Sequence, residues 1–101
     1  MLRVRPSKIH GRGLFTDEYI PQDRRIMLVA DLKRHRAGKN WITKLGRLVN
    51  HKKNGNCILK RNIDDDTYVM YAKRDINAGE ELTSDYSILP KPFKSNVGGY
   101  K

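Results

Sequence analysis

RLVNHKKNGNC, residues 47–57, is the stretch on which the reading of this chain turns. A basic and apolar lead-in, Arg47, Leu48 and Val49, runs straight into asparagines and a histidine at positions where a β-protein usually places turn residues. Two readings stand: a surface turn with polar decoration, or chain folded around a ligand. The Asn50 amide donates and accepts at once and sits beside the His51 imidazole, which suits a ligand. A lone histidine serves as readily in a structural role, so the stretch has to be judged with its surroundings.

Working outward, strong helical periodicity is scarce. Residues 30–41, ADLKRHRAGKNW, have room for one short helical turn closed by Gly38. Elsewhere apolar residues come in short clusters, GLF at 13–15, IMLV at 26–29, CIL at 57–59, YVMYA at 68–72 and EEL at 80–82. Each is bounded by Gly, Pro, Asn or Asp, the pattern of many short strands with tight connections. Residues 57–72 read as a hairpin, entering at 57–59, turning at 64–66 and returning at 68–72. The expected fold class is mainly β. The chain also echoes itself: residues 14–26, LFTDEYIPQDRRI, align without gaps on residues 70–82, MYAKRDINAGEEL. Apolar positions coincide at Leu14/Met70, Phe15/Tyr71, Ile20/Ile76 and Ile26/Leu82, while Asp17/Lys73, Glu18/Arg74, Arg24/Glu80 and Arg25/Glu81 reverse in sign. Both segments read as one strand–turn–strand unit used twice, with Pro21 and Gly79 shaping the turns. Reversed charges let two such units lie together without like-charge repulsion.

The 101 residues suffice for one domain with a modest core. No apolar stretch reaches the length a bilayer requires, and MLRVRPSK at the start lacks the apolar block of a secretory signal. One cysteine, Cys57, excludes an internal disulfide and a zinc site built mainly from cysteine. An intracellular, reducing setting follows as the default. Lys and Arg total 21 against 11 acids, a formal charge of +10. Residues 33–61 hold ten basic side chains (Lys33, Arg34, Arg36, Lys39, Lys44, Arg47, Lys52, Lys53, Lys60, Arg61) and no acid. Such a basic middle third suits an anionic partner, nucleic acid foremost, or serves as a solvated face.

Three polar constellations remain. HGRGLF sets Gly11 and Gly13 around Arg12, so the backbone there can approach a ligand or take positive φ. It lacks the third glycine and the βαβ setting of the dinucleotide fingerprint. Asn50–His51 is the second, and GEELTSDY, ending on Asp85–Tyr86, the third. Taken singly each has an ordinary structural reading. Their order is more specific. Gly-x-Gly-Leu-Phe, then Arg-Leu-Val-Asn-His followed five residues later by Asn-Cys, then Ala-x-Arg-x-Ile-x-x-Gly-Glu-Glu-Leu-Thr-x-Asp-Tyr, resembles the SET-domain protein methyltransferases over residues 5–87. The family's Asn-His block is matched by Arg47, Asn50, His51, Asn56 and Cys57, and its last motif by residues 72–86.

The resemblance implies a β-clip-like fold of short strands, with at most one or two short helical turns and a C-terminal segment threaded past the Asn-His segment as a pseudoknot. It implies a protein-lysine N-methyltransferase using S-adenosylmethionine and no metal. His10, Gly11, Arg12, Gly13, Asn50, His51 and Tyr86 would contact the cofactor, and Tyr86, matching the family's tyrosine, would act at the transferring methyl by orientation and electrostatics. Ser84 stands where the family often carries Phe or Tyr in the lysine channel, so more than one methyl group is expected. Trp41, Tyr71 and Phe93 are either channel aromatics or core packing. Only residues 26–41 stand in for the family's variable insert, and the cysteine-rich segment that often follows the domain has no counterpart. Cys57 is therefore expected to be a free, buried thiol, in a chain that resembles the miniature viral or phage-like forms. The expected organisation is a catalytic domain at 1–89 and a tail at 90–101, in which Phe93 or Tyr100 covers the channel or the segment is flexible. So short a groove suggests a second copy as substrate platform, a homodimer. A +10 protein should repel a free basic tail, so the expected substrate is a lysine on a protein carried by nucleic acid, histone or ribosomal. Localisation is then nuclear for chromatin and otherwise cytoplasmic, with no membrane partner. The rival readings are a catalytically degenerate SET scaffold acting as a basic nucleic-acid-binding module, and a scaffold that binds cofactor without substrate.

Overall fold

The structure, a computed structural model, describes residues 1–89. The expectations for Phe93, Tyr100 and the 90–101 tail lie outside the described residues. Two short strands, β1 (Leu2–Pro6) and β2 (Arg12–Thr16), form an antiparallel hairpin. Five more, β3 (Arg25–Asp31), β4 (Asn50–His51), β5 (Cys57–Asn62), β6 (Thr67–Ala72) and β7 (Thr83–Ser84), form one sheet in the order β3-β6-β5-β7-β4. The mainly β reading is borne out. Helical structure among the described residues is confined to α1 (Leu32–Arg36) and two 3-10 turns, Gly46–Leu48 and Tyr86–Ile88. No helix among them is long and apolar enough to cross a membrane.

Local chemistry explains these elements. Asp31 caps α1 by accepting from the Lys33 N–H at 3.0 Å, and Gly38, at φ +71°, closes the segment as expected. With no buried residue of its own, α1 is held from outside. Leu32 N–H donates to Asp66 O, and Lys33 and Arg36 reach the Asp65 carbonyl and the Asp66 carboxylate. Those acids form the turn of the predicted hairpin, where Asn62 accepts from Asp64 N–H and Asp66 takes a left-handed φ of 58°. β6 lies between β3 and β5 and is buried at five of its six residues, which is why YVMYA is continuously apolar rather than alternating.

The internal echo has a structural counterpart. Ile20 and Ile76, equivalent in the alignment, pair with each other through two 2.8 Å backbone bonds. Around them the bonds come in matched couples: Asp23 N–H to Ala72 O with Gly79 N–H to Thr16 O, and Ala72 N–H to Arg24 O with Thr16 N–H to Glu80 O. Each donor and acceptor in one bond is the alignment equivalent of those in the other, as a local two-fold requires. The turns correspond as well, Arg24 N–H bonding Pro21 O and Glu80 N–H bonding Asn77 O. The sequence reading gave Pro21 the shaping role opposite Gly79; the true equivalent of Gly79, at φ +93°, is Asp23, at φ 72°. Asp tolerates the left-handed region better than most side chains, which is why no glycine marks the first turn.

The decisive feature is the crossing. β4 and β5 are consecutive in the chain, yet β7 lies between them, parallel to both, with Asn50 opposite Thr83, His51 opposite Ser84 and Cys57 opposite Ser84. Residues 52–56 arch over β7, so the C-terminal segment passes beneath a closed loop, an exception to the general avoidance of threading. Asn56, 3% exposed, fastens the loop: its amide donates to Glu81 O at 2.8 Å and accepts from Thr83 N–H at 3.0 Å. A side chain at Gly55 would meet the Thr83 carbonyl at 2.6 Å, so anything larger than glycine forces the backbone of the crossing to shift. The core gathers on either side of this crossing, with Leu14, Val29, Val49, Met70, Ile76, Leu82 and Tyr86 fully buried. Cys57 is free and buried, and burial pushes its thiol up to about 12, partly offset by the Thr83 N–H and the Arg74 charge.

Asn56→Ala leaves two buried backbone groups without their partner and should cost about 2–5 kcal/mol, read as a lowered denaturant midpoint. Gly55→Ala should also destabilise, by about 1–3 kcal/mol, because backbone rather than a flexible side chain must yield. The Cys57 thiol ionises near 9.0 in the unfolded chain and near 12 in the fold, so its contribution is complete below the lower value and lost as pH rises through the upper. Alkylation of native protein at mild alkaline pH should run at least about a hundredfold slower than in denaturant, because the thiolate is the reacting form.

Candidate functional site

The crossing brings together side chains that the chain keeps far apart. Because His51 pairs with Ser84 in parallel, the chain leaving β7 turns back over β4, and Tyr86 N–H donates to His51 Nδ1 at 2.9 Å. The Tyr86 hydroxyl donates to Val49 O at 2.8 Å, and the side chain has no exposed surface. The two rings stand 6.2 Å apart, tilted by 35°. With Nδ1 accepting, a neutral His51 carries its proton on Nε2. The 3.8 Å approach of Asp85 to His51 Nδ1 is consequently not an ion pair through that atom. Asp85 is instead occupied by Ser87, whose hydroxyl and N–H hold its carboxyl below the usual range, with the Lys73 charge assisting. Burial raises the Tyr86 phenol well above its ordinary value, so it stays protonated.

Asn50 is 1% exposed and points the other way, toward the β1–β2 turn. Its amide nitrogen lies 3.0 Å from His10 O, 3.4 Å from Arg12 O, 3.1 Å from Ser7 Oγ and 2.9 Å from Glu81 Oε2. The Ser7 hydroxyl bonds both Glu81 oxygens at 2.9 Å. One amide thus ties the turn carrying residues 10–13 to the segment leading into β7. The two glycines of that turn differ in purpose. Gly11 has φ +47°, whereas a Cβ on Gly13 would lie 2.3 Å from Glu81 Oε2, so Gly13 makes room for the protein's own carboxylate.

The predicted residues His10, Gly11, Arg12, Gly13, Asn50, His51 and Tyr86 therefore fall into two groups joined by β4, one on the turn side and one on the tyrosine side. Ser84, 2% exposed, lines a cavity of about 210 Å³ with Gly55, Cys57, Lys73, Asp85 and Leu89. Tyr71 pairs with Ile58, another wall of that cavity, and carries Lys60 5.1 Å above its ring. Trp41 packs edge-on against His35 at 4.6 Å and lines a separate cavity of about 390 Å³. Sequence reasoning missed Ser7, which belongs to no motif, and the Val49 carbonyl, whose residue it quoted only as apolar lead-in, and passed over Asn56 and Glu81, which it quoted without a role. Partners 74 residues apart, as Ser7 and Glu81 are, leave no spacing signal.

A third cavity, about 250 Å³, opens between the β1–β2 turn, the arch and the approach to β7. Lys8, Lys52 and Arg74 bring positive charge to it and Glu80 and Glu81 negative, with Asn56 and Thr83 beside them. A ligand carrying both an ammonium and a carboxylate finds complementary groups there. Among the described residues no three His, Cys, Asp or Glu side chains converge as metal ligands would.

Residues 29–87, more than half of the chain, match the SET domain family. N-lysine methyltransferase KMT5A-A of Xenopus laevis is 53% identical over 45 residues, which make up 43% of this chain and 13% of that protein. The protein of the same name from Danio rerio is 49% identical over 45 residues, with the same shares. The chain thus spans about an eighth of the length of these curated relatives. Among solved structures, the Chaetomium thermophilum Polycomb Repressive Complex 2 matches with a TM-score of 0.69 and 23% identity, covering 94% of this chain and 17% of that one. The methyltransferase domain of human histone-lysine N-methyltransferase SETMAR matches with 0.68 and 23%, covering 85% and 44%. At such identities the likeness is one of fold. Motif order, crossing strands and family match agree, and the chain belongs to the SET domain family.

Proposed function

We propose that this domain transfers methyl groups from S-adenosylmethionine to the side-chain amine of a lysine in a protein substrate. The observation that carries the proposal is the buried Tyr86, fixed at both its N–H and its hydroxyl against β4 by a crossing that also seats Asn50 beside the glycine turn. Relatives named as N-lysine methyltransferases support the reaction type. The cofactor's amino-acid end fits the mixed-charge cavity: Glu80 and Glu81 would face its ammonium, and Lys8, Lys52 or Arg74 its carboxylate. The backbone of residues 10–13, with Asn50 and His51, would complete the seat. When bound, S-adenosylmethionine supplies an electrophilic methyl carbon on a sulfonium sulfur.

What the chain must then supply is alignment. The attacking amine has to be neutral, while a free lysine titrates near ~10.4. Burial beside the Ser84 cavity would disfavour the ammonium by desolvation. Tyr86 is a phenol kept protonated by its burial, so it cannot take the proton. Its hydroxyl orients the reacting groups instead, and such positioning is worth several kcal/mol. The small Ser84 leaves width for an amine that already carries a methyl group, which favours multiple methylation. The +10 charge favours a lysine presented on an anionic assembly, chromatin or a ribosome.

Tyr86→Phe tests the proposal. Titration calorimetry should show cofactor binding retained, while methyl transfer falls about a hundredfold. The variant should also lose about 1–3 kcal/mol of stability, since Val49 O forfeits its hydroxyl donor. Turnover equal to the unaltered protein would overturn the role given to Tyr86. Absence of cofactor binding in the unaltered protein would overturn the reaction itself.

A further inference from the structure

The basic middle third is not one uniform surface. Lys33 lies 3.2 Å from Asp31, and Arg36 and Arg61 both close on Asp66. Lys33, which also reaches the Asp65 carbonyl, and Arg36 fasten α1 to the hairpin turn, and Arg61 of β5 closes that turn on its own strand. Arg34, Lys44 and Arg47 are different: among the described residues none of them forms an ion pair, although Arg34 Nε donates to Asn40 O. All three converge on the 390 Å³ cavity beside Trp41. Among the described residues the only carboxylate in its wall, Asp31, is already engaged by the Lys33 N–H and ammonium. None of the side chains at 90–101 is acidic, so that segment brings no carboxylate side chain to neutralise the cavity.

The neighbourhood also limits what can dock. Leu28, in the wall, is 39% exposed, and Leu45, between Lys44 and Arg47, is 40% exposed. Trp41 is only 8% exposed, which leaves little ring surface on which a nucleotide base could stack. Cations set among exposed aliphatic side chains suit a peptide that brings a carboxylate and an apolar residue together. The groove is also close to the proposed chemistry. Arg47 precedes Val49 by two residues, at most ~7.6 Å of chain by the Cα spacing, and Val49 O holds the Tyr86 hydroxyl.

We propose that the groove lined by Arg34, Lys44 and Arg47 binds an acidic side chain of the substrate a few residues from the target lysine, so that this domain selects lysines flanked by Glu or Asp. The selection rests on the methyltransferase reading for its purpose, though binding in the groove can be measured without it. The probes are short peptides of neutral polar residues around one lysine, with a single glutamate walked outward on either side, and their glutamine twins. Fluorescence anisotropy reads affinity, and methyl transfer is followed on the same peptides. At one offset the glutamate peptide should bind about tenfold tighter than its twin, a fold-change of the size that close charge pairs give. Lys44→Glu, shown folded by its melting transition, should erase that preference, and a peptide with lysine in place of the glutamate should regain affinity on this variant. Equal binding of the twins at every offset overturns the proposal, as does a preference that survives Lys44→Glu. Displacement of the glutamate peptide by a short oligouridylate that itself binds more tightly would assign the groove to nucleic acid and also overturn it. Glutamate preference without methyl transfer to any peptide would uphold the groove and count against the reaction.

Discussion

β7 contributes two residues to the sheet, yet the rest of the molecule is arranged around its passage beneath residues 52–56. A strand lying between two chain-consecutive neighbours must bury its backbone groups on both edges, and buried groups without partners are costly. The chain meets this with side chains as much as with the ladder. Asn56 serves Glu81 O and Thr83 N–H, Lys52 N–H bonds Ser84 O, and Tyr86 N–H finds His51. Among the described residues no buried side-chain nitrogen or oxygen is left without a partner. Exposed ion pairs such as Met1 and Arg3 with Asp17 add little beside this network, because solvent screens them.

The same crossing separates two kinds of environment with one short strand. On one side of β4, Asn50 collects carbonyls, a hydroxyl and a carboxylate, an acceptor-rich setting that suits a cationic group. On the other, Val49 O and His51 hold a phenol in the core. The proposed reaction, between a methyl donor bearing positive charge and an amine that must lose its charge, would use these two settings side by side. Their spacing is fixed by a single backbone segment rather than by flexible loops, which suits a reaction governed by alignment.

Much of this was legible from the residues. Short apolar clusters between turn formers gave the mainly β class, the acidic 64–66 run gave the hairpin, and motif order gave the family. The echo between residues 14–26 and 70–82 could be aligned, but that its halves would face each other through Ile20 and Ile76 could not. Opposite charges at equivalent positions are compatible with such contact without requiring it. Proline is the visible turn former in the first turn, whereas the residue at positive φ is Asp23, two positions on. Gly13 reads in the sequence as a place for close backbone approach; that it also clears space for Glu81, a partner nearly seventy residues away, is invisible there. The basic run read as a single feature, whereas pairing with Asp31 and Asp66 divides it into a structural part and a groove. In each case the missing information was a contact between residues distant in the chain, which no local pattern encodes.

The claim that the crossing builds the cofactor seat is tested most directly by nuclear magnetic resonance on the labelled protein. A scalar coupling across the hydrogen bond from Tyr86 N–H to His51 Nδ1 should be observed. Addition of S-adenosylmethionine should shift the amide resonances of His10, Gly11, Arg12, Gly13, His51 and Tyr86 while leaving the 64–66 turn unmoved. No coupling, or shifts confined to the Trp41 cavity, would contradict the account.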